Sequence, residues 1–175
     1  MGLRDRMQER RAENSGEQFF TMRQKMLSIG DDYWIQDSSG NRVFKVDGKA
    51  LRVRETLKFD DAQGNELLKI QERIARVRDT MKIEDANGNT VATVKKAMIT
   101  PLRERWHVES PNGDLKIQGN IVDHEYEIEQ SGDTVATVSK KWFRVRETYG
   151  VEVQPDADIP LILSVVVAID AMARD

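Results

Sequence analysis

The chain has 175 residues, a net charge of −3, 39% hydrophobic residues and 33% charged residues, which is typical of one soluble globular domain large enough to bury a core. The absence of cysteine excludes disulfides, thiolate catalysis and cysteine-based zinc sites. The slightly acidic balance argues against general nucleic-acid binding, which usually needs a basic domain.

The first 18 residues are polar and carry charges of alternating sign, so we expect a helical or disordered segment over residues 1–18. This segment has no apolar run of the kind that marks a secretory signal. We therefore expect a cytoplasmic protein, and binding to lipid would place it at the periphery of a membrane.

Short alternating runs of polar and apolar residues, separated by turn signals, fill the chain from residue 19 to about residue 153. Each turn signal begins with Asp, Asn, Ser or Gln and contains Gly, as hairpin loops do. About twelve strands are predicted, at a spacing typical of an all-β barrel or sandwich. The turn signals lie at residues 37–41, 61–65, 85–89, 110–114 and 130–133.

A five-residue motif, Arg-Val-Arg-(Glu or Asp)-Thr, occurs at residues 52–56, 76–80 and 144–148. Around the first two copies the similarity is longer, since residues 52–75 align without gaps on residues 76–99. Such a repeat predicts one supersecondary unit used more than once. Strand alternation assigns a set of cations to the polar face, namely Arg52, Arg54, Lys58, Arg76, Arg78, Lys82, Arg144 and Arg146.

These cations form the candidate ligand-binding site, because guanidinium groups bind phosphate oxygens bidentately. The alternative is an outer barrel face whose cations pair with neighbouring carboxylates and only keep the surface polar. Glu55, Asp79 and Glu147 have the parity of the apolar face, so each needs a β-bulge or an Arg partner.

The alternating pattern of polar and apolar residues ends at about Gln154. Asp158 and Pro160 then precede a continuous apolar segment. We predict a helix at about residues 159–173, beginning at these N-terminal signals. It is apolar on nearly all sides and too short to span a bilayer, so it is expected to be enclosed by protein. We therefore expect a domain over residues 19–175 that forms a closed barrel around this core helix. Closure would leave no exposed strand edge, and the helix would fill the barrel interior.

The chain resembles the LURP-one-related family, which is related to the tubby C-terminal domain and to phospholipid scramblases. The resemblance lies in residues 43–48 (Val-Phe-Lys-Val-Asp-Gly), 61–70, 138–142 and 149–153, followed by the apolar helix with Asp170. It implies a mainly β fold, a closed tubby-like antiparallel barrel of about twelve strands around a central hydrophobic C-terminal helix. It also implies phospholipid or phosphoinositide headgroups as ligands. The cysteines and longer membrane segment of scramblases are absent, which makes lipid scrambling the second alternative.

No enzyme motif is present, and the two histidines, His107 and His124, lack metal-ligand spacing. We therefore expect a non-enzymatic binding module without cofactor or metal, whose partner is an anionic lipid headgroup or membrane surface and not nucleic acid. The first alternative is a structural or protein-interaction module. Trp142 beside Lys140 and Lys141 is also a candidate anchor at a lipid interface.

Overall fold

The computed structural model describes residues 18–23, 32–48, 56–72, 80–100, 103–144 and 148–173. The predicted strand texture is confirmed as twelve strands followed by one helix within these ranges. The strands are β1 (Gln18–Arg23), β2 (Tyr33–Asp37), β3 (Arg42–Asp47), β4 (Thr56–Asp61), β5 (Glu66–Glu72), β6 (Thr80–Asp85), β7 (Thr90–Thr100), β8 (Arg103–Glu109), β9 (Leu115–Asn120), β10 (Glu125–Gln130), β11 (Asp133–Ser139) and β12 (Thr148–Val153), and the helix is α1 (Ile159–Met172).

The twelve strands form a closed antiparallel barrel in which each strand pairs with its neighbours in the sequence. Closure is made between β1 and β12, whose register runs from Gln18 opposite Val153 to Arg23 opposite Thr148. A closed barrel has no exposed strand edge. The predicted fold class, a mainly β closed barrel with a C-terminal helix, is confirmed.

The hairpin turns at residues 37–41, 61–65 and 85–89 share one construction. In the second of them, Asp61 Oδ1 accepts the N–H groups of Gln63 and Asn65, each at 2.9 Å. Asp61 Oδ2 accepts Asn65 Nδ2 at 2.8 Å, and Gly64 supplies the left-handed residue with φ 86°. The Asn65 side-chain hydrogen bond is the main cause of a lowered pKa at Asp61, and Asn89 lowers the pKa of Asp85 in the same way.

The two ends of the barrel carry different sets of connections between strands. Because the strands alternate in direction, the even-numbered strands all begin at one end, which we call the motif end. The connections β2–β3, β4–β5, β6–β7, β8–β9 and β10–β11 lie at the opposite end, which we call the turn end.

Helix α1 fills the barrel interior. Asp158 caps its first turn by accepting the N–H of Leu161 at 3.1 Å, and every residue from Ile162 to Asp170 is buried. Its β-branched residues are poor helix formers, but the apolar enclosure outweighs that local preference. The helix begins after β12 at the turn end and contacts β5, β6, β7 and β12 on its way towards the motif end.

The strand faces predicted from alternation are confirmed in β4, β6 and β12, whereas Phe143, which alternation assigns to the apolar face, is half-buried in the β11–β12 connection. The apolar set is buried, including Leu57 and Phe59 of β4, Met81 and Ile83 of β6, and Tyr149 and Val151 of β12. Thr80 is an exception, because it has outward parity yet is buried. Residues 1–17 lie outside the described residues, as do Glu55, Asp79 and Glu147.

Candidate functional site

The three copies of the Arg-Val-Arg motif lead into strands that start at the same end of the barrel. The Thr that closes each copy is the first residue of its strand: Thr56 of β4, Thr80 of β6 and Thr148 of β12. These three strands run in one direction. Five of the predicted site residues, Arg52, Arg54, Arg76, Arg78 and Arg146, lie outside the described residues.

Two further predicted residues, Lys58 and Lys82, lie on the outer wall of the barrel. Lys58 Nζ is 3.6 Å from Glu66, and Lys82 Nζ is 3.2 Å from Glu84. β5 lies between their strands, so the two side chains are not neighbours. Their charges are partly neutralised, which is the arrangement expected of a polar wall.

The third described residue, Arg144, is exposed in the connection between β11 and β12. This connection also carries Lys140 and Lys141, and it is held by the side chain of Glu125 at the start of β10. Glu125 Oε2 accepts the Ser139 hydroxyl at 2.8 Å, and Glu125 Oε1 accepts the N–H of Lys140 at 3.0 Å. The carboxylate therefore fixes the beginning of a cationic loop, a role that the sequence did not reveal.

The connecting segments differ in charge between the two ends. Those at the turn end contain no Lys or Arg. Those at the motif end contain acids (Asp31, Asp32, Glu55, Asp79, Asp123 and Glu147) and a larger set of cations (Lys25, Lys49, Arg52, Arg54, Arg73, Arg76, Arg78, Lys140, Lys141, Arg144 and Arg146). The amino-acid sequences of the connections thus differ in charge according to the strand ends that they join, and we call this difference the polarity of connector charge.

An aromatic cluster lies on the outside of the barrel beside the cationic loop. The ring of Trp142 meets that of Phe19 edge-on at 5.2 Å, and Phe143 stacks on Phe19 at 6.0 Å. Gly150 lies beneath them, since a Cβ there would come within 2.6 Å of the Trp142 ring. All three aromatic side chains are half-buried, so part of this apolar surface remains accessible.

A polar cluster is buried in the interior, near the C-terminal end of α1. Asp170 Oδ1 is 2.9 Å from Nε2 of His124, which lies in the β9–β10 connection. Asp170 Oδ2 accepts the hydroxyl of Tyr149. Burial, followed by the charge of Asp170, raises the pKa of Tyr149 well above its ordinary value. The cluster ties the end of the helix to the barrel wall.

The contact between Asp170 and His124 joins residues 46 positions apart and could not be recognised from the sequence pattern. A single carboxylate in an otherwise apolar helix was the signal that could have indicated a buried partner. The residues that the structure describes contain no group of three or more His, Cys, Asp or Glu side chains arranged to hold a metal ion. No helix among the described residues is long and apolar enough to cross a membrane.

Together these features define a class of protein: a closed twelve-stranded barrel with an enclosed helix and cation-rich connections at one end. The chain belongs to the LURP-one-related family, whose model matches residues 18–170. No curated protein matched the chain.

Among solved structures, the chain is similar to the X-ray structure of a protein from Arabidopsis thaliana. The two chains are 19% identical, the TM-score is 0.68, and the match covers 90% of this chain and 92% of the other. At this identity the similarity shows a shared fold alone.

Proposed function

We propose that this protein is a non-enzymatic binding module that takes an anionic, phosphate-bearing ligand, such as a phospholipid or phosphoinositide headgroup, at its motif end. The observation that carries the proposal is the polarity of connector charge, with Lys and Arg at the motif end and none in the connections at the turn end. A ligand with several phosphate oxygens is favoured where several cations meet.

Each motif copy contributes two guanidinium groups immediately before a strand that starts at this end. In the proposed site Arg52, Arg54, Arg76 and Arg78, with Arg144 and Arg146, contact the phosphates bidentately. Lys58 and Lys82 lie further along the wall and assist less, because Glu66 and Glu84 already neutralise them. The barrel supplies the frame of strands β4, β6 and β12 into which the motif copies lead.

The test compares two quadruple variants with the same change in net charge. Arg52→Gln/Arg54→Gln/Arg76→Gln/Arg78→Gln removes cations of the motif copies, and Arg42→Gln/Lys69→Gln/Lys95→Gln/Lys116→Gln removes cations of the wall. Binding of inositol trisphosphate is measured by calorimetry, and binding to vesicles with and without phosphatidylinositol bisphosphate is measured by co-sedimentation, at low and physiological salt.

We expect the wild type and the wall variant to bind the anionic ligands, with weaker binding at higher salt, and the motif variant to lose binding. Equal losses in both variants would indicate a general charge effect without a site. Failure of the wild type to bind any of these ligands would overturn the proposal.

A further inference from the structure

The start of the cationic loop, the β11–β12 connection, is linked to the end of helix α1 through two consecutive residues. Glu125 accepts the N–H groups of Lys140 and Lys141, at 3.0 and 3.3 Å. The preceding residue, His124, places its Nε2 2.9 Å from Asp170 Oδ1, and both of these side chains are buried. A displacement of Asp170 would therefore move His124, and the peptide bond to Glu125 would transmit that movement to the loop.

The turn that carries His124 is held by several hydrogen bonds. Asn120 Nδ2 donates to Asp123 at 2.6 Å, and Asn120 Oδ1 accepts the N–H of Asp123 at 3.1 Å. The N–H of His124 donates to the carbonyl of Ile121 at 3.1 Å. His124 has a φ of 51°, in the left-handed region that residues other than glycine seldom adopt. Such a conformation persists where the surroundings restrain it, and the buried contact with Asp170 is one such restraint.

The end of the cationic loop is linked to the same carboxylate. Tyr149, the second residue of β12, donates its hydroxyl to Asp170 Oδ2. Its ring also packs on that of His124, with 4.3 Å between the ring centroids. Tyr149 is fully buried, so no bulk water can replace Asp170 as the acceptor. The two carboxylate oxygens of Asp170 thus connect to the two ends of one loop by separate contacts.

Stability alone does not account for a carboxylate at this position. Asp170 is the one charged residue of α1, whose other buried residues are apolar apart from Ser164. Burial of a carboxylate costs free energy that its hydrogen bonds recover only in part, and apolar side chains of similar volume often serve stability as well. A positioning role gives the polar contacts a purpose that apolar packing cannot supply, because hydrogen bonds fix direction as well as distance.

We infer that Asp170 is a positioning residue for the cationic loop. It fixes the start of the loop through His124 and Glu125, and it fixes the end through Tyr149. The inference rests on the proposed function, in which this loop contributes cations to the ligand site, and it makes the buried helix end a determinant of that site's affinity. Cations on a loop that is already held at both ends lose less freedom when an anionic ligand binds.

The test separates positioning from stability with two variants. His124→Phe/Tyr149→Phe/Asp170→Leu, which we call the apolar variant, replaces the three joined side chains together, so that none of them leaves a buried partner unpaired. Leu163→Ala is the control, since it opens a cavity on the same helix about two turns away from Asp170 and leaves the cluster intact. Urea unfolding should show that the control loses more stability than the apolar variant.

Trp142 serves as the reporter of the loop, because its ring packs edge-on against Phe19 at 5.2 Å. Acrylamide quenching of fluorescence measures how accessible this ring is to solvent. All variants carry Trp34→Phe, which removes the other half-buried tryptophan, and Trp106 is buried and contributes little quenching.

We expect the accessibility of Trp142 to rise in the apolar variant and to stay at the wild-type level in Leu163→Ala, although the latter is the less stable protein. Asp170→Asn keeps the size of the side chain and offers one acceptor oxygen in place of two, so it should give a smaller rise. Asp170→Asn carries the comparison if the apolar variant does not fold. Unchanged accessibility in the folded variants would overturn the inference and leave the proposed function standing.

Binding of inositol trisphosphate, measured by calorimetry, tests the consequence for the ligand site. The apolar variant should bind about fivefold more weakly than wild type, whereas Leu163→Ala should bind like wild type. Equal binding by wild type and the apolar variant would also overturn the inference. Failure of the wild type to bind would instead remove the proposed function, and the accessibility of Trp142 would then decide by itself whether Asp170 positions the loop.

Discussion

At the scale of single residues, two of the buried tyrosines, Tyr126 and Tyr149, differ in their hydrogen bonding. Tyr149 donates its hydroxyl to Asp170, whereas the hydroxyl of Tyr126 is buried and has no hydrogen-bond partner among the described residues. Burial raises the pKa of Tyr126 well above its ordinary value. The two hydroxyl groups should therefore make opposite contributions to stability.

Removing the two hydroxyl groups tests this difference. Tyr149→Phe leaves a buried carboxylate oxygen without its donor and should lower the free energy of unfolding by about 2 kcal/mol. Tyr126→Phe removes an unsatisfied polar atom and should raise the free energy of unfolding by about 1 kcal/mol. Urea unfolding measures both, and equal losses in the two variants would contradict the description of the cluster.

At the scale of structural elements, the barrel depends on the repeated hairpin turns and on the helix. In each turn one aspartate carboxylate accepts the hydrogen bonds that stabilise the turn. Asp37, Asp61 and Asp85 each accept two backbone N–H groups and one Asn side-chain N–H. The helix contributes through apolar burial. Acid should therefore weaken the turns, and a cavity should weaken the packing around the helix.

The turns predict a specific dependence on pH. Because the folded pKa of Asp61 and Asp85 is lowered, their contribution is fully present above the unfolded pKa of 3.8 and is lost as pH falls through the folded value. Asp61→Asn/Asp85→Asn should flatten this acid branch of stability. Unfolding midpoints measured from pH 5 down to pH 2 check it, with Asp133→Asn/Asp156→Asn, at two exposed positions, as a charge-matched comparison. An unchanged acid branch would contradict the role of the turns.

The helix predicts a large effect from one buried side chain. Leu163 is fully buried, so Leu163→Ala should lower the free energy of unfolding by about 3 kcal/mol through lost burial and a cavity. Truncation before Asp156 should remove the cooperative unfolding transition, because the barrel interior would be left unfilled. Circular dichroism and urea unfolding measure both changes. A folded truncated barrel would show that the helix is not required.

At the scale of the whole molecule, the proposed function predicts that the polarity of connector charge decides which end of the barrel contacts an anionic surface. Lys140 and Lys141 belong to the connection at the motif end, whereas Lys58 and Lys82 lie on the wall in ion pairs with glutamates. Two double substitutions that remove the same charge, one in this connection and one on the wall, should then differ in their effect on binding to anionic vesicles.

Lys140→Gln/Lys141→Gln should weaken binding to anionic vesicles by about 2 kcal/mol, roughly thirtyfold, at about 1 kcal/mol per cation near a charged membrane. Lys58→Gln/Lys82→Gln should weaken it by a smaller factor. Co-sedimentation at two salt concentrations measures both. A larger effect from the wall pair would place the contact on the wall and not at the motif end.

The sequence by itself determined the local features of this protein. Strand alternation, the Asp-to-Asn hairpin turns and the capped apolar helix depend on residues a few positions apart, and the structure confirms them. The Arg-Val-Arg cations were also visible as a repeated motif, although their role in binding stays a prediction.

Tertiary structure decided what depends on strand order and register. His124 meets Asp170 across 46 positions of the sequence, and Glu125 holds a loop that begins 15 positions later. Only the closed order of strands brings the starts of β4, β6 and β12 to one end and places the β9–β10 connection next to the β11–β12 connection. Such contacts arise from long-range pairing, which local spacing in the sequence does not encode.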